Sequence, residues 1–268
     1  MPGLAGLADP PLEELLDYLP LKTLMNRLIA AFLVPLLATG CTQPKTATDL
    51  EQGAHGHADA TDVKYIALTY DDGPHAKATP ALLDVLRENN AKATFFVLGS
   101  LIADNGQLIK RMDSEGHELG NHTINHPILT ILNRETLRAE IKNASSELSA
   151  VTGKAPTLLR PPRAAFNANV QAVARENGLA IALFDIYPND SMPWNNARDI
   201  SETIVSEAKD GSIVFLHDTS ARSVDATELA IRGLSSRGFR FVTLSELIKR
   251  RGPIKPGAVY KNGYVVEP

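Results

Sequence analysis

The sequence is nearly free of cysteine: it has one, Cys41, in 268 residues. An intrachain disulfide is therefore impossible, and so is a zinc site built from several thiolates. A basic excess is missing too. With 27 Lys and Arg against 31 Asp and Glu, the net charge is −4 and the pI is near 6.0, which excludes nucleic acid as a partner. Aromatic residues are scarce at 6 %, with a single tryptophan, Trp194, though a neutral polymer does not need many. No apolar run reaches the ~20 residues that a membrane span requires. What is present, 44 % hydrophobic and 22 % charged residues, is the make-up of an ordinary globular protein with ample core for one large domain or two small ones.

The longest apolar run lies in "MNRLIAAFLVPLLATGC", residues 25–41. Arg27 precedes it, Leu28 to Ala38 form it, and small residues lead to Cys41, the three-part layout of a secretory signal. Ala38-Thr39-Gly40-Cys41 resembles the lipobox of bacterial lipoproteins, whose cysteine is lipidated and becomes the mature N-terminus; Ala38 stands where leucine is usual. The alternative is a buried helix with a free cysteine. Residues 1–24 are acidic and broken by proline, so Met25 is the expected start, and residues 1–40 read as an upstream extension plus signal. Residues 41–62 are polar and aperiodic, a tether in which His55 and His57 are linker residues rather than metal ligands, since a flexible pair lacks preorganisation. The expected location is extracytoplasmic: lipid-anchored to a membrane through Cys41, or secreted. Thr42 favours the outer membrane or periplasm by resemblance to lipoprotein sorting signals.

From Lys64 onward short apolar or β-branched runs alternate with helix-like stretches. The runs fall at 64–70, 92–97, 117–122, 157–160, 179–184, 212–217 and 239–243, and the helical patterns at 78–89, 101–115, 135–151, 167–177, 198–209 and 225–237. Gly178 and Gly238 follow two of the helices where a C-cap is expected. This alternation predicts an α/β fold, a parallel sheet covered by helices, closed like a barrel or open and doubly wound. Residues 63–250 are expected to form that domain and 251–268 a C-terminal tail.

The chemistry-bearing residues sit at the ends of the runs. Asp71 and Asp72 end the first, His122 the third with His126 four residues on, Arg160 the fourth, and His217 and Asp218 the sixth; Asp185 and Asp190 follow the fifth. In parallel α/β folds all strand C-termini meet at one face, so these residues converge. Adjacent acids repel and burial penalises both, but a cation changes that balance. Two imidazoles at this spacing plus one carboxylate make a common catalytic zinc shell with a position left open, and the second aspartate is then free to act as a base. A chance pair of surface histidines is the competing reading of His122 and His126, and a helix N-cap that of Asp71-Asp72.

Taken together, "LTYDDGP", "HTINHP", "LRPP" and "FLHD", with "AKATFFVLG" and "GHELGNH" between them, resemble the ordered motifs of the polysaccharide deacetylases, carbohydrate esterase family 4. The resemblance runs over about residues 62–250 and implies a distorted (β/α) barrel of about seven strands. It implies a divalent metal, usually Zn2+ with Co2+ or others also accepted, on Asp72, His122 and His126. It makes Asp71 the general base, Arg160 its partner, and His217 the general acid paired with Asp190 or, as the alternative, Asp185. The Arg163 N–H is then an oxyanion donor, although an aromatic usually stands at Arg163. Trp194 would wall the acetyl pocket from a longer loop, since Ser191 rather than tryptophan follows Asp190. Glu118 and Asp218 are expected to accept from histidine N–H groups, His75 and His117 to be hydrogen-bonded neighbours, Pro161-Pro162 to stiffen a loop, and Gly120 to allow a close approach. The implied activity is metal-dependent removal of N-acetyl groups from sugars of a polysaccharide such as peptidoglycan, chitin-like polymer or exopolysaccharide. O-acetyl esterase activity or a catalytically impaired glycan-binding lipoprotein are the alternatives.

Overall fold

The computed structural model describes residues 63–266; the signal-like segment, Met25, Cys41, and the tether with His55 and His57 lie outside these. The described chain alternates strand and helix: β1 (Lys64–Asp71), α1 (Ala78–Glu88), β2 (Ala93–Val97), α2 (Gly106–Ser114), β3 (Glu118–Asn121), α3 (Arg134–Thr152), β4 (Leu158–Leu159) and α4 (Ala168–Glu176). There follow β5 (Ala180–Ala182), α5 (Ala197–Glu207), β6 (Ile213–His217), α6 (Ala221–Ser235), β7 (Phe239–Phe241), α7 (Leu244–Lys249), β8 (Val259–Lys261) and β9 (Tyr264–Val265).

The sheet runs β6-β1-β2-β3-β4-β5-β8-β9, with β7 alongside the start of β1, and every pairing is parallel except β8 with β9. Its strands are short apolar runs because both faces are covered. Alternation along β1 sorts its side chains. Ile66, Leu68 and Tyr70 join the cluster under α1 and α6, whereas Thr69 and Asp71 face inward toward Arg160. The seam between β5 and β6 closes through a single bridge, Ile186 with Val214, making the barrel distorted rather than regular.

Helix ends follow local chemistry. Asn133, Asn167, Asn196, Ser220 and Thr243 cap their helices by accepting first-turn N–H groups. The Ser220 cap starts α6 four residues ahead of the expected 225. Gly178 and Gly238 adopt the left-handed conformation at φ 73° and 82°, which side chains disfavour. The helix expected from residue 101 begins only at Gly106, after two tight 3-10 turns.

The boundary at 250 needs correcting. Residues 259–261, expected in a tail, form β8 beside β5: the Ile181 N–H donates to Ala258 O at 2.8 Å and the Leu183 N–H to Tyr260 O at 2.9 Å. The physical reason is β5 itself, whose outer edge would otherwise expose unpaired backbone groups.

Candidate metal centre

Asp71 is the last residue of β1, and the chain turns at once through Asp72, which is left-handed at φ 70°, into Gly73-Pro74. Across the cleft, β3 delivers His122 and a tight loop delivers His126. That loop is locally strained, with Thr123 at φ 69° and His126 at φ 57°, a conformation unusual for a β-branched residue. It is held by its own polar atoms: Asn121 Oδ1 accepts the Thr123 N–H at 2.8 Å and Thr123 Oγ1 accepts the His126 N–H at 3.0 Å. Glu140 on α3 completes the hold by accepting the Ile124 and Asn125 N–H groups at 3.0 and 2.9 Å.

The Asp72 Oδ1 atom is buried and has no hydrogen-bond partner, yet His122 Nε2 lies 3.3 Å and His126 Nε2 3.5 Å away. Ligands ~2.0–2.2 Å from a tetrahedral ion stand about 3.4 Å from one another, so these separations are those of atoms sharing one cation. The His122 tautomer agrees. Its Nδ1 is 2.7 Å from the Arg160 carbonyl oxygen, which only accepts, so Nδ1 carries the proton and Nε2 keeps its lone pair. Burial, then the neighbouring His122, lower the His126 pKa, which favours the neutral ring that a metal ligand needs. For Asp72 burial works toward the neutral acid, but the imidazoles of His122, His126 and His217 around it outweigh burial and lower its pKa. Among the described residues this trio is the cluster whose donor atoms could grip a metal ion.

Two acid–base pairs flank it. Asp71, buried, meets Arg160 Nη1 at 2.9 Å, while its Oδ2 stands 3.5 Å from His122 Nε2. Arg160 is itself fully buried: Nη1 also donates to Thr69 Oγ1 at 2.7 Å, and its guanidinium lies over the Phe96 ring at 4.2 Å. Gly120 makes that stack possible, since a Cβ there would fall 2.5 Å from Phe96. On the other side His217 Nδ1 donates to Asp190 Oδ1 at 2.9 Å, and the His217 backbone N–H to Asp190 Oδ2 at 2.8 Å. Burial lowers the His217 pKa, but the Asp190 hydrogen bond and charge, with Asp71 and Asp72, outweigh it and leave the group raised. Its Nε2 points at the site, 3.8 Å from Asp72 Oδ2. Asp71, Asp72, His122, His126, Arg160 and His217 line one cleft of about 330 Å³ together with Arg163, Ala164, Phe184, Tyr187, Ser191 and Phe215, with Asp190 buried behind His217.

Several expectations need revision. Trp194 does not wall the cleft: it is 74 % exposed and absent from the lining. Its loop is already committed to tight turns, with Asn195 Nδ2 on Asn189 O at 3.0 Å and Asn196 capping α5, which keeps the indole outside. The apolar wall comes instead from Phe184 stacked on Phe215 at 4.4 Å, with Tyr187 tilted against Phe215 at 5.1 Å. Asp185 does not reach His217; its Oδ1 accepts the Ile213 N–H at 2.5 Å, which ties the seam. Glu118 accepts no histidine N–H. It lies at the far end of β3, accepting from Thr94 Oγ1 at 2.9 Å and from the Ser245 backbone at 2.9 Å. Asp218 accepts from Thr79 Oγ1 at 2.5 Å instead of from a histidine, and burial, followed by the charges of Asp71 and Asp72, pushes its pKa up to about 7.

Other placements follow the expectation. His75 Nδ1 accepts the Ala78 N–H at 3.1 Å, and His117 Nδ1 the Ala93 N–H at 3.2 Å. Arg163 lies on the cleft in a turn opened by Pro161-Pro162 and is left-handed at φ 58°. Sequence reasoning missed Glu140, and it missed Ser223 and Arg222 on α6. Ser223 Oγ donates to Asp190 Oδ2 at 2.8 Å and Arg222 Nη2 to the Asp190 carbonyl at 3.0 Å. Nothing local marks them, because each acts across long sequence separation.

Comparison with known proteins points one way. The family model for polysaccharide deacetylase matches residues 58–182. The peptidoglycan-N-acetylglucosamine deacetylase PgdA of Listeria monocytogenes is 41 % identical over 187 residues, covering 69 % of this chain and 39 % of its own length. A peptidoglycan-N-acetylglucosamine deacetylase of Bacillus cereus is 38 % identical over 191 residues, covering 69 % of this chain and 89 % of its own. Among solved structures, a family 4 acetyl xylan esterase from Clostridium thermocellum, in complex with a cobalt ion, superposes with a TM-score of 0.70. It is 30 % identical and covers 74 % of this chain and 98 % of its own. The chain thus spans about two fifths of the Listeria protein and most of the other two.

Proposed function

The chain belongs to the polysaccharide deacetylase family, and on that premise we propose that it removes N-acetyl groups from the sugars of an N-acetylated polysaccharide, with peptidoglycan the leading substrate. Chitin-like polymers and exopolysaccharides belong to the same substrate class. The reading rests most on one observation: an unpartnered, buried Asp72 oxygen facing two imidazole lone pairs, with a buried Asp71–Arg160 pair on one flank and an Asp190–His217 pair on the other.

Asp72, His122 and His126 would hold a divalent ion, Zn2+ first and Co2+ next, as a two-nitrogen, one-oxygen donor set suits. Such an ion, when bound, polarises an acyl carbonyl and acidifies water. Asp71 has one oxygen engaged by Arg160, leaving Oδ2 on the site side to take a proton from the attacking water. His217, its Nδ1 anchored on Asp190, presents Nε2 to protonate the departing nitrogen. Water adds to the acyl carbon, the C–N bond breaks, and acetate and a free amine leave. The Arg163 N–H is assigned to the developing oxyanion. Tyr187, Phe184 and Phe215 supply the apolar side of the cleft.

The same water attack cleaves an ester, and the similarity to an acetyl xylan esterase keeps O-deacetylation as the second reading. Acetate release from peptidoglycan, chitooligosaccharides and acetylxylan, with and without chelator, separates the two. Chelator-sensitive release from the N-acetylated substrates is expected; release from acetylxylan alone selects the ester reading, and metal binding with no release from any substrate selects a glycan-binding role. Lipidation at Cys41, which would place the domain on an envelope membrane, is part of the same proposal and is tested by the mass of the mature N-terminus.

A further inference from the structure

The residue after His217 does something the catalytic scheme does not use. Successive side chains of an extended segment point to opposite sides, so while His217 faces the cleft, Asp218 faces away from it. Asp218 is 1 % exposed and lies beneath the turn that carries the chain from Asp72 into α1. Its Oδ2 accepts from Thr79 Oγ1 at 2.5 Å, and Thr79 Oγ1 in turn accepts the His75 N–H at 2.7 Å. Its Oδ1 is buried without a partner. The carboxyl lies flat against Gly73: a Cβ on Gly73 would stand 2.1 and 2.2 Å from its two oxygens.

Asp72 adopts a left-handed backbone at φ 70°, a conformation that persists only where the surroundings enforce it. On its N-terminal side the enforcement is the β1–β6 ladder, which ends at the Asp71 and His217 pair. On its C-terminal side the Gly73–His75 turn is seated on Asp218 and Thr79. We infer that Asp218 is a positioning residue for the metal ligand Asp72, acting through the absent side chain of Gly73. The His217-Asp218 dipeptide thereby fixes two parts of the centre from one strand end. The inference rests on the reading that Asp72 holds a cation.

The test measures Zn2+ affinity by competition with a chromophoric chelator, the Co2+ absorption spectrum, and the melting temperature of the metal-free protein. Asp218→Ala is expected to weaken Zn2+ binding about 10- to 100-fold, the usual effect of removing an outer support, and to perturb the Co2+ spectrum. Asp218→Asn, which keeps the shape and an acceptor for Thr79, should stay within about threefold of the parent chain. Gly73→Ala should be worse than Asp218→Ala, and the double variant Gly73→Ala/Asp218→Ala should regain about tenfold over Gly73→Ala, because the methyl then fills the space the carboxyl left. Should Asp218→Ala fail to fold, Thr79→Val carries the test, with weakened Zn2+ binding expected. Parent-like affinity and spectrum in Asp218→Ala, or in Thr79→Val where that variant stands in, overturn the inference alone. Additive losses in the double variant do the same. A parent chain that binds neither Zn2+ nor Co2+ overturns the metal reading and this inference with it.

Discussion

Strand β3 has an acid–histidine group at each end, and the two groups are built to opposite purposes. At its start, Glu118 accepts from Thr94 and from both the backbone and side chain of Ser245, while His117 accepts the Ala93 N–H and rests edge-on against Phe95 at 5.5 Å. Burial is the main force on both, raising the Glu118 pKa and lowering that of His117 to about 4, so each side chain is driven toward its neutral form. Just past the other end, His122 and its partners face a cleft, with an acid oxygen left unpaired. Of the eight non-glycine residues with positive φ among those described, Asp72, Thr123, His126, Arg163 and Ala164 belong to this end. Unmet polarity is found at both ends, since His117 Nε2 and Glu115 Oε2 are also buried without a partner, but only at the cleft end do such an oxygen and two imidazoles converge on one point. Backbone strain gathers at the proposed metal centre, and that contrast separates the two ends.

The comparison can be broken from the cleft side first. Asp71→Asn removes the proposed base while keeping a hydrogen-bonding partner for Arg160; turnover should fall about 10²–10⁴-fold with Zn2+ affinity kept, as acetate release and metal titration read together would show. His126→Ala removes a proposed ligand from a half-buried position, so metal content after dialysis should collapse while the melting temperature of the metal-free protein stays within a few degrees.

At the quiet end the expected effect is on stability alone. The folded His117 titrates near 4 and the unfolded one near 6.5, so below pH 6.5 the unfolded chain binds more protons. Stability contributed by this group is therefore complete above pH 6.5 and is lost as pH falls toward 4, by no more than about 3 kcal/mol. Burial leads that shift, Lys92 and Arg111 add to it, and Glu115 opposes it. Urea midpoints of the parent chain and of His117→Gln between pH 7 and 4 should converge as pH falls; parallel curves would contradict the neutral assignment. Smallest of all, Trp194→Ala should alter stability by less than about 0.5 kcal/mol and leave turnover of a short chitooligosaccharide unchanged, because the indole stands outside the cleft.

Much of this arrangement was legible in the sequence, for identifiable reasons. The barrel shows because each parallel strand is a compact apolar run followed by a helix, and the convergence of Asp71, His122, Arg160 and His217 follows from their places at strand ends. Strand β8 was not legible, since three residues, Val259–Lys261, offer too little pattern to stand out. Glu140 was missed because it serves the His122–His126 loop from a neighbouring helix. The wall of the cleft was not legible: Trp194 was expected to swing in from a longer loop, whereas loop turns decide which ring arrives, and Tyr187 does. Asp218 sits between these cases: its direction follows from strand alternation, but its contact with Gly73 is a matter of tertiary approach.

The lateness of β8 has a consequence for how the domain is made. As the chain leaves the ribosome, Ile181 and Leu183 emerge long before Ala258 and Tyr260, which later accept their amides. Throughout that interval the nascent polypeptide carries an open β5 border, a template on which a neighbouring chain can nucleate aggregation. A truncation that stops short of Val259 would leave that border open permanently, turning a shortened product into an adhesive one.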